Sequence, residues 1–80
     1  MKLFIIYQQY SDGYDTYDSA VVCAKNEEDA KTIHPGNGEH IQGNSYFGWV
    51  DNTDYVTVKY IGTAVKGTER GVICASFNAG

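Results

Sequence analysis

Lys2-Leu-Phe-Ile-Ile-Tyr-Gln-Gln9 is the stretch on which the fold turns. Eight residues are short for a helix, and β-branched and aromatic side chains suit a pleated surface, so the run reads as a strand. It is apolar on both alternations. A strand of that kind belongs in the interior of a sheet, with cover over each face.

Outward from that strand, Tyr10-Ser-Asp-Gly-Tyr-Asp-Thr-Tyr-Asp18 is dense in turn formers around Gly13 and leads to a second apolar run, Ser19-Ala-Val-Val-Cys-Ala24. The two runs are expected to pair as an antiparallel hairpin with a long polar tip. Asn26 then offers an N-cap oxygen, and Glu27, Glu28 and Asp29 place negative charge where the helix dipole is positive. Ala30 and Ile33 give the helix a narrow apolar stripe, Lys31 stands four residues beyond Glu27, and Pro35 stops the helix after His34. A helix of two to three turns at most needs a sheet to lie on.

From 36 to 54 the periodicity disappears among glycines and asparagines, yet the segment carries Tyr46, Phe47 and Trp49. Three clustered aromatics in a long irregular loop argue for function rather than disorder. Strand character resumes from 55 to 64, with Val56, Val58 and Tyr60 on one face and Thr57, Lys59 and Ile61 on the other, Gly62 marking a bend. Residues 65–71 read as a turn into a last strand, Val72-Ile-Cys-Ala-Ser-Phe77. The expectation is a single α+β domain over residues 1–80: a four-stranded, mostly antiparallel sheet in the order ββαββ, one short helix between two hairpins, and a long aromatic loop before the third strand.

An 80-residue chain buries a comparatively small share of its surface, and such domains draw on disulfides, metals or oligomerisation. Cys23 and Cys74 each lie in an apolar run, where a thiol packs as a small hydrophobe. A disulfide between them requires neighbouring strands in register; otherwise the reading is two reduced, buried thiols in a cytosolic setting. Oligomerisation is what remains, and a partner subunit or the aromatic loop would cover the second face of the sheet. No secretory leader is visible at the start, and no apolar run approaches the roughly 18 residues of a membrane span. With a net charge of −4 and only six scattered basic residues, polymeric nucleic acid would meet repulsion. A small nucleotide is compatible with this balance, because one Arg and a few backbone N–H groups hold one or two phosphates.

Among residues that carry chemistry, Asp12, Asp15 and Asp18 recur every third position but do not match a calcium loop, and a solvated turn is the simpler reading. His34 and His40 match no zinc spacing, so neither metal nor cofactor is expected. A Cys–His nucleophile would need an exposed, electropositive thiol, and no carboxylate pair is placed for acid and base work, so the chain does not read as an enzyme.

What remains is a recognition surface. Tyr14 and Tyr17, with Tyr10, occupy one loop; Phe47 and Trp49 occupy another; Arg70, the sole arginine, and Asn78 lie at the two ends of the final strand. Rings stack on a base, a guanidinium clamps a phosphate, and an amide pairs with a base or ribose edge. Structural roles stand beside these: Phe47 and Trp49 capping the sheet, half-buried tyrosines with hydroxyls in water, Asn78 as a terminal cap, and Arg70 paired with an acidic neighbour, the favoured reading for that residue.

Gly13-Tyr-Asp-Thr-Tyr-Asp-Ser-Ala-Val-Val22, Ile33-His34-Pro35, Val58-Lys-Tyr-Ile-Gly-Thr-Ala64 and Gly71-Val-Ile-Cys-Ala-Ser-Phe-Asn-Ala-Gly80 together resemble a group of small phage- and prophage-encoded proteins, the divergent part being 36–54. Through that group the chain resembles anti-defence sponges of the Thoeris anti-defence type. That resemblance implies a homo-oligomer in the bacterial host cytoplasm that binds a cyclic nucleotide or cyclic ADP-ribose isomer without cleaving it. It assigns no pocket residue to a position in this chain. The alternative is a protein–protein module that inhibits a host defence protein through the same Tyr- and Trp-rich surface. A phosphodiesterase-like enzyme comes last, lacking catalytic groups.

Overall fold

The computed structural model of the chain describes residues 1–8, 16–41, 48–50 and 52–78, the side chain of Asn78 excepted. Four strands, β1 (Lys2–Gln8), β2 (Thr16–Ala24), β3 (Val56–Thr63) and β4 (Gly71–Asn78), form one antiparallel sheet in the order β3-β1-β2-β4. One short helix, α1 (Glu27–Lys31), follows β2, and a single 3-10 turn (Thr53–Tyr55) precedes β3. The α+β architecture expected from the sequence is therefore present, and β1 lies in the sheet interior as its two-faced apolarity requires.

The second hairpin does not form. β3 pairs with β1 and β4 with β2, so the last two strands lie on opposite edges of the sheet. Residues 64–70 cross the end of the sheet between them: Ala64 N–H donates to the Met1 carbonyl at 3.0 Å, and the Cys23 thiol lies 4.0 Å from the Thr68 carbonyl. The turn formers of this segment are used within a crossing, where Thr68 N–H and its hydroxyl both bond the Val65 carbonyl, rather than in a tight reversal.

One face of the sheet carries the core. Phe4 and Ile6 of β1, Ala20, Val22 and Ala24 of β2 and Val56 of β3 pack with Ala30, Ile33, Ile41 and Trp49. Val56, Val58 and Tyr60 register against Gln8, Ile6 and Phe4, which is the alternation read from the sequence. Ile61 is the extra residue of a bulge beside Gly62. Leu3, Ile5, Tyr7 and Val21 alternate to the second face and remain half-buried. Cys23, under the 64–70 crossing, is fully buried there.

The helix is shorter than its apolar spacing suggests. Asn26 caps it, accepting from Asp29 N–H at 2.8 Å, while the Asp29 carboxylate reaches back to Lys25 N–H at 3.1 Å. It ends at Lys31 because the Thr32 hydroxyl bonds the Asp29 carbonyl at 2.7 Å and because Pro35 disfavours helical geometry at His34. Ile33 instead bridges His40, with His34 N–H on the Glu39 carbonyl, Gly38 N–H on the His34 carbonyl and Ile41 N–H on the Thr32 carbonyl. The first part of the expected irregular loop is thus a small folded-back unit about the turn at 35–38.

Cys23 and Cys74 are both free. Cys23 stands opposite Gly71 and Cys74 opposite Val21, so neighbouring strands do hold them but out of register. Cys74, expected to be buried, is exposed, because β4 is an edge strand.

Candidate functional site

Two turns from distant parts of the chain meet over the start of β4. The 35–38 turn, lifted by the Ile33–His40 bridge, faces residues 69–72 across an open depression of ≈ 470 Å³. Arg70 forms part of its wall, with Glu69 beside it. Its guanidinium is held from behind: Nε donates to Asp29 Oδ1 and Oδ2 at 2.9 and 3.0 Å, and Nη2 lies 2.9 Å from Asp29 Oδ1 and 3.1 Å from the Thr32 hydroxyl. The ion pair anticipated for Arg70 is therefore formed. Among the described residues Nη1 has no protein partner, so its two N–H groups remain as oriented donors. The Arg70 hydrogen bond holds the Asp29 carboxyl below its usual value, helped by Lys25 N–H and opposed by partial burial.

Tyr17 approaches the same turn from β2. Its ring packs edge-on against His34, with centroids 5.9 Å apart, and against Phe77, 4.8 Å apart. His34, 5% exposed, accepts Gly36 N–H at Nδ1 at 2.9 Å, which leaves the ring proton on Nε2. The backbone at Gly36 lies so close that a Cβ there would stand 2.8 Å from Tyr17 Oη and 3.0 Å from His34 Cε1. Glycine is what lets the turn sit down on these two rings.

Trp49 is placed differently. At 7% exposure it packs in the core and offers no open ring face for stacking, and its buried Nε1 has no hydrogen-bond partner among the described residues. The chain reaches it through Gly48, whose φ of 76° favours glycine. The Gly48 carbonyl is pinned by Tyr17 N–H at 3.0 Å and the Thr16 hydroxyl at 3.0 Å, with Gln8 Nε2 at 3.2 Å. Gln8 Nε2 also reaches the Thr16 hydroxyl at 2.6 Å and the Tyr17 carbonyl at 2.8 Å. Sequence reasoning missed this knot. Its signal was a polar Gln8 following Phe4 and Ile6 on the inward alternation of β1.

Of the six candidate ligand-binding residues, Tyr17 and Arg70 come to either side of the 35–38 turn. Asn78 ends β4 opposite Thr16. Tyr14 and Phe47 lie outside the described residues, as do Tyr10, Tyr46, Asp12 and Asp15. A second depression, of ≈ 770 Å³, lies between Tyr60 and the start of α1, where Lys2 is outnumbered by Glu27 and Glu28 and no arginine lines the wall. Among the described residues no group of three or more His, Cys, Asp or Glu stands together to hold a metal ion, and no helix is long and apolar enough to cross a membrane.

Comparison with family models, curated proteins and solved structures finds no match to this chain.

Proposed function

We propose that this chain is a binding protein that holds a small, anionic, nucleotide-like ligand without cleaving it, in the depression between the 35–38 turn and the start of β4. The observation that carries the reading is Arg70. A guanidinium fixed on one edge by Asp29 and Thr32 keeps Nη1 aimed with little entropy left to lose, which is how a ligand-binding arginine is pre-organised. Asp29 cancels much of its charge and Glu69 also lines the depression, so the directed Nη1 donors of Arg70 do the holding rather than a long-range field. A volume of ≈ 470 Å³ lies within the roughly 300–1,000 Å³ usual for small-molecule sites.

The resemblance to phage-encoded sponges names the ligand class, a cyclic nucleotide or a cyclic ADP-ribose isomer. Titration calorimetry with such compounds tests the reading. Arg70→Ala removes a charge-assisted hydrogen bond and should weaken binding by about 10- to 100-fold, the equivalent of roughly 1.5–3 kcal/mol. Unchanged affinity in that variant contradicts it.

The second reading, a module that inhibits a host defence protein, is favoured by the two large apolar side chains exposed on β4, Ile73 and Phe77. Capture of a protein partner that survives Arg70→Ala and is lost on substitution at Ile73 distinguishes it.

A further inference from the structure

We propose that the outer edge of β4 pairs antiparallel with β4 of a second copy across a twofold axis at Ala75, joining two sheets into one of eight strands. The proposal stands apart from the ligand reading and does not need it.

β4 ends the sheet, and among the described residues no strand pairs with its outer side. A row of edge N–H and C=O groups accepts another strand unless something blocks it, and proteins block edges with charge, proline or bulges. The other edge is blocked: β3 carries exposed Lys59 at mid-strand and a bulge at Ile61. β4 has the sequence Gly-Val-Ile-Cys-Ala-Ser-Phe-Asn and contains neither proline nor any charged residue. Its own bulge places Ile73 as the extra residue against β2, which leaves 74–78 free of a bulge on β4.

Charge and shape both select a second copy as the occupant. The chain carries a net charge of −4, so most approaches of two copies bring like charges together, whereas β4 meets itself with none. A twofold axis normal to an antiparallel pair must set one residue opposite itself. With the axis at Ala75, Ile73 falls opposite Phe77 of the second copy, and Cys74 opposite Ser76. Ile73 and Phe77 are 50% and 44% exposed, so each would cover the other, twice, about a centre of small side chains.

Sedimentation equilibrium of the full chain should give twice 8.8 kDa. Ala75→Lys puts two ammonium groups opposite one another and should halve that mass while leaving the far-UV spectrum unchanged. Independently of that variant, Ala75→Cys in a Cys74→Ser background should cross-link between copies under mild oxidation, since residues opposite one another hold Cβ atoms ~4.5–5.5 Å apart. Lys59→Cys in the same background should not. A chain that stays monomeric at every accessible concentration leaves the edge to a foreign strand and overturns the proposal. A dimer that persists in Ala75→Lys, or that does not cross-link at position 75, places the interface elsewhere and also overturns it.

Discussion

Arg70 and Asp29, 41 residues apart in sequence, meet as a forked ion pair with Nε and Nη2 each 2.9 Å from Oδ1. The contact fastens the start of β4 to α1 after a crossing that has few other polar ties to the helix. It also orients the guanidinium at the wall of the depression, so one carboxylate serves both the fold and the site.

Asp29→Asn should lower stability at neutral pH by no more than ~1 kcal/mol, the ceiling for a pair this open to solvent. The pH dependence has a definite sign. Because the folded-state pKa of Asp29 lies below the value of 3.8 for a free side chain, the carboxylate's contribution is complete above that value and is lost as pH falls through the lower folded one. Urea midpoints of the wild type and the variant should therefore converge in acid. A gap that stays constant down to the acid limit would show that the carboxylate acts through packing alone.

Gly36→Ala tests how the 35–38 turn rests on the rings beneath it. The new methyl group would stand 2.8 Å from Tyr17 Oη, at the end of a ring already packed against His34 and Phe77. Overpacking of this kind should cost roughly 1–3 kcal/mol by urea unfolding and weaken ligand binding as the turn lifts. An unchanged midpoint would mean that Tyr17 swings away freely.

How far the molecule was legible in its sequence follows from where the interactions lie. β1 in the interior, the alternation of β3 and the Asn26 cap depend on neighbours within a few residues, and each could be read. The Arg70 ion pair was anticipated as a type, but Asp29 as its partner was not, since nothing local joins positions 41 apart. The missing second hairpin has the same origin: residues 65–71 are turn formers whether the chain reverses or crosses, and only the pairing of β4 with β2 decides between them. Trp49 read equally well as a stacking platform or as core. Its burial is fixed by the Gln8, Thr16 and Tyr17 bonds to Gly48, which tie 48 to strands far from it in sequence.

Gln8→Leu keeps the bulk of the side chain and removes the amide from that knot. The Thr16 hydroxyl and the Tyr17 carbonyl then each lose a part-buried donor, and stability should fall by about 1–3 kcal/mol. Chemical denaturation followed by far-UV circular dichroism gives the value, and a neutral result would mean that water replaces the amide.

Trp49→Phe should be nearly neutral, because the indole N–H it removes has no partner to leave behind among the described residues. Trp49→Ala should cost roughly 3–5 kcal/mol, the usual toll for emptying a large core site. As the only tryptophan, Trp49 also reports its surroundings by fluorescence: a blue-shifted emission should remain unchanged on ligand binding and move to the red only on unfolding. A large change on binding would put the ligand at Trp49 instead of at the 35–38 turn.

The most direct test of the binding assignment is native mass spectrometry of the purified chain with a panel of cyclic nucleotides and cyclic ADP-ribose isomers. The expected result is a protein carrying an intact ligand, recovered unchanged after denaturation, with the adduct lost in Arg70→Ala. A protein that stays ligand-free across the panel, or an adduct that persists without Arg70, would contradict it.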